Sequence, residues 1–123
     1  MYSFPPAADL QFLIGLDVGQ ICLDPWSTQF RFTDGGRITI EGPFEHVDVQ
    51  GKLHHHQEVD AQDRGAVFFR DLIQQRITLV ESEPLRLTLG FENGATLAIV
   101  SEDIEFESGQ IYPPGRETAP IVF

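Results

Sequence analysis

The sequence of 123 residues has little cysteine and few basic residues. A single cysteine, Cys22, excludes a disulfide framework within the chain. Eight basic residues against 19 acidic ones give a formal charge of −11. Because this charge repels phosphate backbones and anionic lipids, we expect neither nucleic-acid binding nor membrane binding. No apolar run approaches the length of a membrane span, and the first ten residues lack the pattern of a secretory signal. These absences predict a soluble cytoplasmic protein whose surface would attract a basic protein partner.

The composition provides enough apolar material for one core. Apolar residues make up 41% of the chain, and ten residues are phenylalanine. A chain of this length can bury a single core without disulfides or a structural metal. No linker-like segment divides it, so we predict a single domain over residues 1–123.

The sequence repeats itself at a distance of 59 residues. Residues 13–41 align without a gap on residues 72–100, and six of the aligned pairs are identical. Chance would give about two identities in such a window. Two copies are too few for a solenoid, so the repeat predicts one domain built from two similar halves. The identical pairs are Leu13/Leu72, Ile14/Ile73, Pro25/Pro84, Phe32/Phe91, Gly35/Gly94 and Ile40/Ile99.

Asp-Gly and Asn-Gly pairs in the repeat predict two β-hairpins and their registers. In the second copy, a two-residue loop would turn Leu97 to the wrong face of the strand. A three-residue loop that ends at Gly94 instead puts the apolar side chains on one face. The first copy gives the same result with Gly35, so we expect both glycines at positive φ. The predicted pairs are Phe91–Ala95, Leu89–Leu97, Leu87–Ile99, Phe30–Ile38 and Thr28–Ile40.

The fold class predicted from these patterns is α+β, dominated by antiparallel sheet, with two similar helix-strand-hairpin halves. A helix is expected over residues 61–74, where apolar residues recur at helical spacing after Asp60. A shorter helix is expected between Pro6 and Gly15. The segment 121–123 is apolar, so we expect it to dock against the body or a partner subunit, which makes a homodimer a further expectation. Strands are predicted at 18–23, 28–33, 36–41, 45–50, 76–81, 85–91, 95–100 and 103–108.

Three consecutive histidines, His54, His55 and His56, are the candidate metal ligands, since imidazole binds zinc and nickel. His46 could join them from the preceding strand. Adjacent residues of an extended segment point to alternate sides, however, so the three side chains need a special turn to reach one ion. The alternative is a solvated loop within the polar join between the halves, at residues 50–58. No other cofactor is expected.

Catalytic patterns are weak or absent in the sequence. Asp103, Glu105 and Glu107 would share one strand face, where outward charges that deter aggregation are the simpler interpretation. Cys22 is predicted to be an ordinary strand residue. There is no Gly-x-Ser-x-Gly, Walker or dinucleotide-binding motif. We therefore expect no enzyme, unless a deep pocket joins the histidines to Cys22 or to an acidic pair.

Four motifs together resemble a family of small bacterial proteins that is known only as a domain of unknown function. They are "FTDGGRITI", "FENGATLAI", "EFES" and "YPPGRETAPIVF". The resemblance covers most of the chain and implies a β-rich fold of two similar halves. The family has no established activity, so the resemblance assigns no catalytic residue.

The function favoured by the sequence is a non-catalytic module that binds another protein. One alternative is an immunity-type inhibitor that covers a basic toxin, because acidic charge gives fast association. Another alternative is a small-ligand or metal-binding module, with an apolar pocket at the junction of the halves and the histidine segment at its mouth. Trp26 follows Pro25 between two strands, and its counterpart in the repeat is Leu85. We therefore expect Trp26 to pack and not to form a binding surface.

Overall fold

The computed structural model describes residues 3–56, 70–102, 107–115 and 119–123. Within these ranges it contains one 3-10 helix of seven residues, η1, and ten β-strands. Their bounds are η1 Ala7–Leu13, β1 Val18–Leu23, β2 Thr28–Phe32, β3 Arg37–Ile40, β4 Phe44–Val47, β5 Leu53–His56, β6 Ile77–Glu83, β7 Arg86–Phe91, β8 Thr96–Val100, β9 Gly109–Tyr112 and β10 Ile121–Val122.

The described strands form two five-stranded antiparallel sheets, which confirms the predicted α+β class dominated by antiparallel sheet. The first sheet has the order β1-β2-β3-β9-β10, and the second has the order β5-β4-β8-β7-β6. Strands β4 and β5 follow β3 in the chain but pair with β8, whereas β9 and β10 follow β8 but pair with β3. Each half thus completes the sheet of the other half.

Both predicted hairpin registers are confirmed. Leu89 lies opposite Leu97, and Phe30 lies opposite Ile38. The loop glycines Gly35 and Gly94 adopt φ angles of 100° and 92°, a conformation that a residue without Cβ reaches at little cost. Three-residue loops with a glycine bulge therefore close both hairpins, as the turn chemistry predicts.

The two repeated segments meet at a seam, formed by residues 15–18 and 74–77, through matching backbone hydrogen bonds. The amide of Gly15 donates to the carbonyl of Ile77 at 2.8 Å, and the amide of Gln74 donates to the carbonyl of Val18 at 2.7 Å. The two bonds are equivalent, because Gly15 corresponds to Gln74 in the repeat and Val18 corresponds to Ile77. Gln74 also has a positive φ, 65°, where its counterpart Gly15 has 93°. The backbone of the second segment thus keeps the glycine-like shape of the first.

One hydrophobic cluster draws residues from both sheets. The ring of Phe30, in the first sheet, meets the ring of Phe44, in the second, edge to face at 6.1 Å. Phe123 is fully buried and stacks on Phe4 with ring centroids 4.6 Å apart. The predicted docking of segment 121–123 against the body is confirmed, and it lends no separate support to the expected homodimer.

Several predicted elements differ from those observed. The segment between Pro6 and Gly15 forms a 3-10 helix, and the strand predicted at 45–50 is Phe44–Val47. The predicted loop at 50–58 contains a strand, Leu53–His56, because its backbone pairs with β4. Of the helix predicted over 61–74, residues 61–69 lie outside the described residues, and residues 70–72 have 3-10 conformation. Residues 103–106 of the last predicted strand also lie outside them.

Candidate functional site

The hairpin of β4 and β5 carries all four histidines. His46 lies opposite His54 in the register, and β5 forms the edge of the second sheet. The turn between the strands is closed by Asp48, whose Oδ1 accepts hydrogen bonds from the amides of Gln50 and Lys52, each at 2.9 Å. A short Asp side chain that binds its own turn amides is a common hairpin device. The turn therefore fixes the register of β4 and β5, which sets His46 opposite His54.

Strand alternation separates the three consecutive histidines, as their adjacent positions in the sequence predict. His54 and His56 lie on one face, where the ring of His54 stacks on His46 at 5.5 Å and the ring of His56 stacks on Phe44 at 4.7 Å. His55 lies on the opposite, more exposed face, with Nδ1 3.3 Å from a carboxylate oxygen of Glu45. The predicted ligands do not converge on one point.

His46 is fully buried, with Nε2 3.0 Å from Oδ1 of Asp71. Asp71 comes from the 3-10 turn at residues 70–72, and its other oxygen accepts from the amide of Val49 at 3.2 Å. Burial lowers the pKa of His46 below 6.5, although the nearby Asp71 carboxylate partly opposes this shift. The imidazole is therefore neutral at neutral pH, and the contact joins the 3-10 turn to the second sheet.

A second carboxylate is paired with His54. The Nε2 atom of His54 lies 3.0 Å from Oδ2 of Asp48. This hydrogen bond, with those from the amides of Lys52 and Gln50, lowers the pKa of Asp48 from 3.8 to about 2. The Asp48 carboxylate thus stays ionised far into the acidic range, and its oxygens hold the β4–β5 turn together.

The histidine hairpin has the contacts of a structural network. In the part of the chain that the structure describes, no group of three or more His, Cys, Asp or Glu side chains could hold a metal ion. A metal bound by His54, His55 and His56 stays a prediction, and it would need ligands from elsewhere. Cys22 is partly buried in β1 of the first sheet, whereas the histidines belong to the second. Of the acidic stretch, Asp103 and Glu105 lie outside the described residues.

Trp26 provides the most exposed large apolar side chain among the described residues, at 81%. The packing predicted for it is wrong, because the β1–β2 turn carries the indole into solvent. The amide of Asp24 donates to the carbonyl of Ser27 at 2.9 Å, and the Asp24 carboxylate accepts from Nε2 of Gln29 at 2.9 Å. Pro25 fixes one backbone angle inside the turn. The exposed indole therefore sits on a well-braced turn.

A depression of about 650 Å³ opens at the seam. The sequence predicted an apolar pocket at this junction, with the histidines at its mouth. The depression does lie at the junction, but Arg31, Arg37, Thr33 and Gln74 are among its lining residues, and no histidine is. The lining mixes polar and apolar groups, and β2 and β3 contribute the two arginines.

None of the described helices is both long enough and apolar enough to cross a lipid bilayer. No family model, no curated protein and no solved structure matches the chain. The resemblance to a bacterial domain of unknown function therefore rests on the sequence motifs alone and stays a prediction.

Proposed function

We propose that this protein is a non-catalytic binding domain that takes a basic protein partner through a surface centred on the Trp26 turn. The observation that carries the proposal is the 81% exposure of Trp26. Burying an indole against a partner is favourable because it removes a large apolar surface from water. An aromatic side chain buries about 150–250 Å². Tryptophan is among the residues most enriched at the energetic centres of protein interfaces.

The turn is suited to binding because it is already ordered. Asp24 is hydrogen-bonded to the Ser27 carbonyl through its amide, and its carboxylate also accepts from the Ser27 hydroxyl at 3.3 Å. A partner therefore does not pay for ordering this backbone when it binds. The matching turn in the second half presents Leu85, which is 40% exposed and has no indole. The halves thus differ where the proposed interface lies.

The formal charge of −11 supports a basic partner. Acidic charge speeds the encounter with a positively charged protein and makes the association rate sensitive to salt. An immunity-type inhibitor of a basic toxin is a narrower form of the same proposal. In that form, the partner recovered in the experiment below would be a toxin whose activity the domain blocks.

The test compares Trp26→Ala with Leu85→Ala, the matched control at the equivalent turn. The immobilised wild-type chain is exposed to a lysate of the source organism, and each protein that it retains is purified and then measured against the wild type and both variants. We expect the affinity of the partner to fall roughly 30-fold with Trp26→Ala, which corresponds to about 2 kcal/mol for a central interface residue, and to stay unchanged with Leu85→Ala.

The purified pair also tests the charge argument. Calorimetry at low and high salt should show weaker binding as salt rises, with Leu85→Ala close to wild type at both. Equal affinity of wild type and Trp26→Ala for every purified candidate would overturn the proposal. A partner with acidic charge would overturn its electrostatic part.

A further inference from the structure

The depression at the seam carries two arginines in a chain that has only eight basic residues. Arg31 on β2 and Arg37 on β3 lie directly opposite each other in the register. Like charges in directly opposed positions of an antiparallel pair destabilise the sheet. Among the described residues, neither guanidinium forms an ion pair with a carboxylate. In the described part of the chain, the two positive charges are therefore held together without a carboxylate in direct contact with either one.

Both side chains are nevertheless held in place. The guanidinium of Arg31 donates to Oε1 of Gln29 through Nε at 3.2 Å and through a terminal nitrogen at 3.1 Å. The guanidinium of Arg37 lies over the ring of Tyr112, 4.0 Å from its centre. A neutral amide oxygen and an aromatic face orient the two groups without pairing either one with a carboxylate. Such preorganised donors suit an external anion.

The second half gives an internal comparison. At the positions of Arg31 and Arg37 it has Gly90 and Thr96, which also pair in the register. The side chain of Leu79 fills the space over Gly90, since a Cβ added at Gly90 would lie 2.9 Å from the Cβ of Leu79. One half thus uses this place for apolar packing, whereas the other leaves it open and positively charged.

We propose that the depression binds the oxyanion group of a small acidic molecule, a carboxylate or a phosphate. The two guanidinium groups would donate paired, charge-assisted hydrogen bonds to its oxygens. Thr33 and Gln74, at the same depression, supply further polar groups. The carboxylate of Asp17 also lines it and accepts from the hydroxyl of Thr33 at 3.3 Å. Asp17 favours a ligand that carries a hydroxyl or ammonium group beside its oxyanion. This site is independent of the Trp26 surface.

The test is an NMR titration of the full chain with inorganic phosphate and, separately, with citrate, at constant ionic strength maintained with chloride. We expect saturable shifts of the amides around residues 31–37 and at Gln74, at millimolar concentration. Arg31→Gln should weaken binding by about tenfold or more, because it removes a charge-assisted donor pair. The charge-matched control Lys52→Gln, on the turn of the other sheet, should bind as the wild type does.

Arg37→Gln serves as a second variant, so that a folding defect in one variant does not decide the result. Saturation by phosphate but not by citrate would assign the site to phosphate compounds, and the reverse would assign it to carboxylates. Shifts that do not saturate with either probe would overturn the proposal. Equal binding by the wild type and both arginine variants would overturn it too.

Discussion

Replacement of Phe123 by alanine should be among the most destabilising single changes in the chain. The ring is fully buried and stacks on Phe4, with centroids 4.6 Å apart and planes inclined by 26°. It also passes over Gly109, where an added Cβ would lie 2.5 Å from the ring. Since Gly109 has no side chain, it cannot fill the space that the ring leaves.

The expected loss can be worked out from these contacts. A fully buried phenylalanine truncated to alanine costs about 3–5 kcal/mol, which combines lost transfer free energy with the cavity left behind. Roughly 0.5–1.5 kcal/mol of this belongs to the stacked pair with Phe4 and should appear as coupling in a double-mutant cycle. The free energy of unfolding of a small domain is only about 5–15 kcal/mol. We therefore expect Tm to fall by about 12–20 °C, at about 4 °C per kcal/mol.

The assay is urea unfolding followed by circular dichroism for the wild type, Phe123→Ala, Phe4→Ala and the double variant. Trp26→Ala is the control, because it also removes a large ring, but from an exposed site, and should change the free energy of unfolding by no more than about 0.5 kcal/mol. A cost below about 1 kcal/mol for Phe123→Ala would refute the reasoning. So would equal costs for Phe123→Ala and Trp26→Ala.

Three further predictions concern backbone strain and the pH dependence of stability. Gln74→Gly should raise the urea midpoint of unfolding, because a non-glycine residue at positive φ costs about 1–2 kcal/mol. Gly15→Ala should lower the midpoint for the same reason. A lower midpoint for Gln74→Gly and a higher one for Gly15→Ala would contradict the shared backbone shape. The pKa of His46 lies below 6.5, so the unfolded chain gains the proton first and stability should fall as pH drops through 6.5. His46→Gln should flatten that slope in urea titrations at several pH values by up to about 1.4 kcal/mol per pH unit. The pKa of Asp48 is lowered from 3.8 to about 2 in the folded protein, so its ionised carboxylate stabilises the fold. This stabilisation should be lost as pH falls from about 4 to about 2. An acid-unfolding curve of Asp48→Asn that matches the wild type there would exclude this contribution.

The hairpins could be predicted from the sequence because turn chemistry and strand alternation are local. A glycine at positive φ and a run of alternating apolar residues leave few registers that bury one face. The positions of Gly35 and Gly94 therefore predict two strand pairings correctly, β2 with β3 and β7 with β8. The exchange of β4 and β9 between the sheets could not be predicted, since it depends on contacts between residues that are distant in the sequence.

The candidate sites were less predictable for the same physical reason. The polar residues around β5, Leu53–His56, favour a loop, but an edge strand buries little and needs only one neighbour. Asp71 gave no signal as a partner of His46, because the two are brought together only by the fold. Trp26 was expected to pack like Leu85, but equivalent positions of a repeat keep their backbone shape more closely than their exposure. Arg31 and Arg37 gain their meaning only from the register that sets them opposite each other.

Fluorescence of Trp26 is the most direct measurement of the surface on which the proposed function depends. It is the only tryptophan in the chain, so the emission reports this turn alone. We expect the emission maximum of a hydrated indole, and quenching by acrylamide close to that of a free tryptophan derivative, with a blue shift when a basic partner is added. A blue-shifted emission that acrylamide does not quench in the isolated protein would contradict the exposed turn and the proposal built on it.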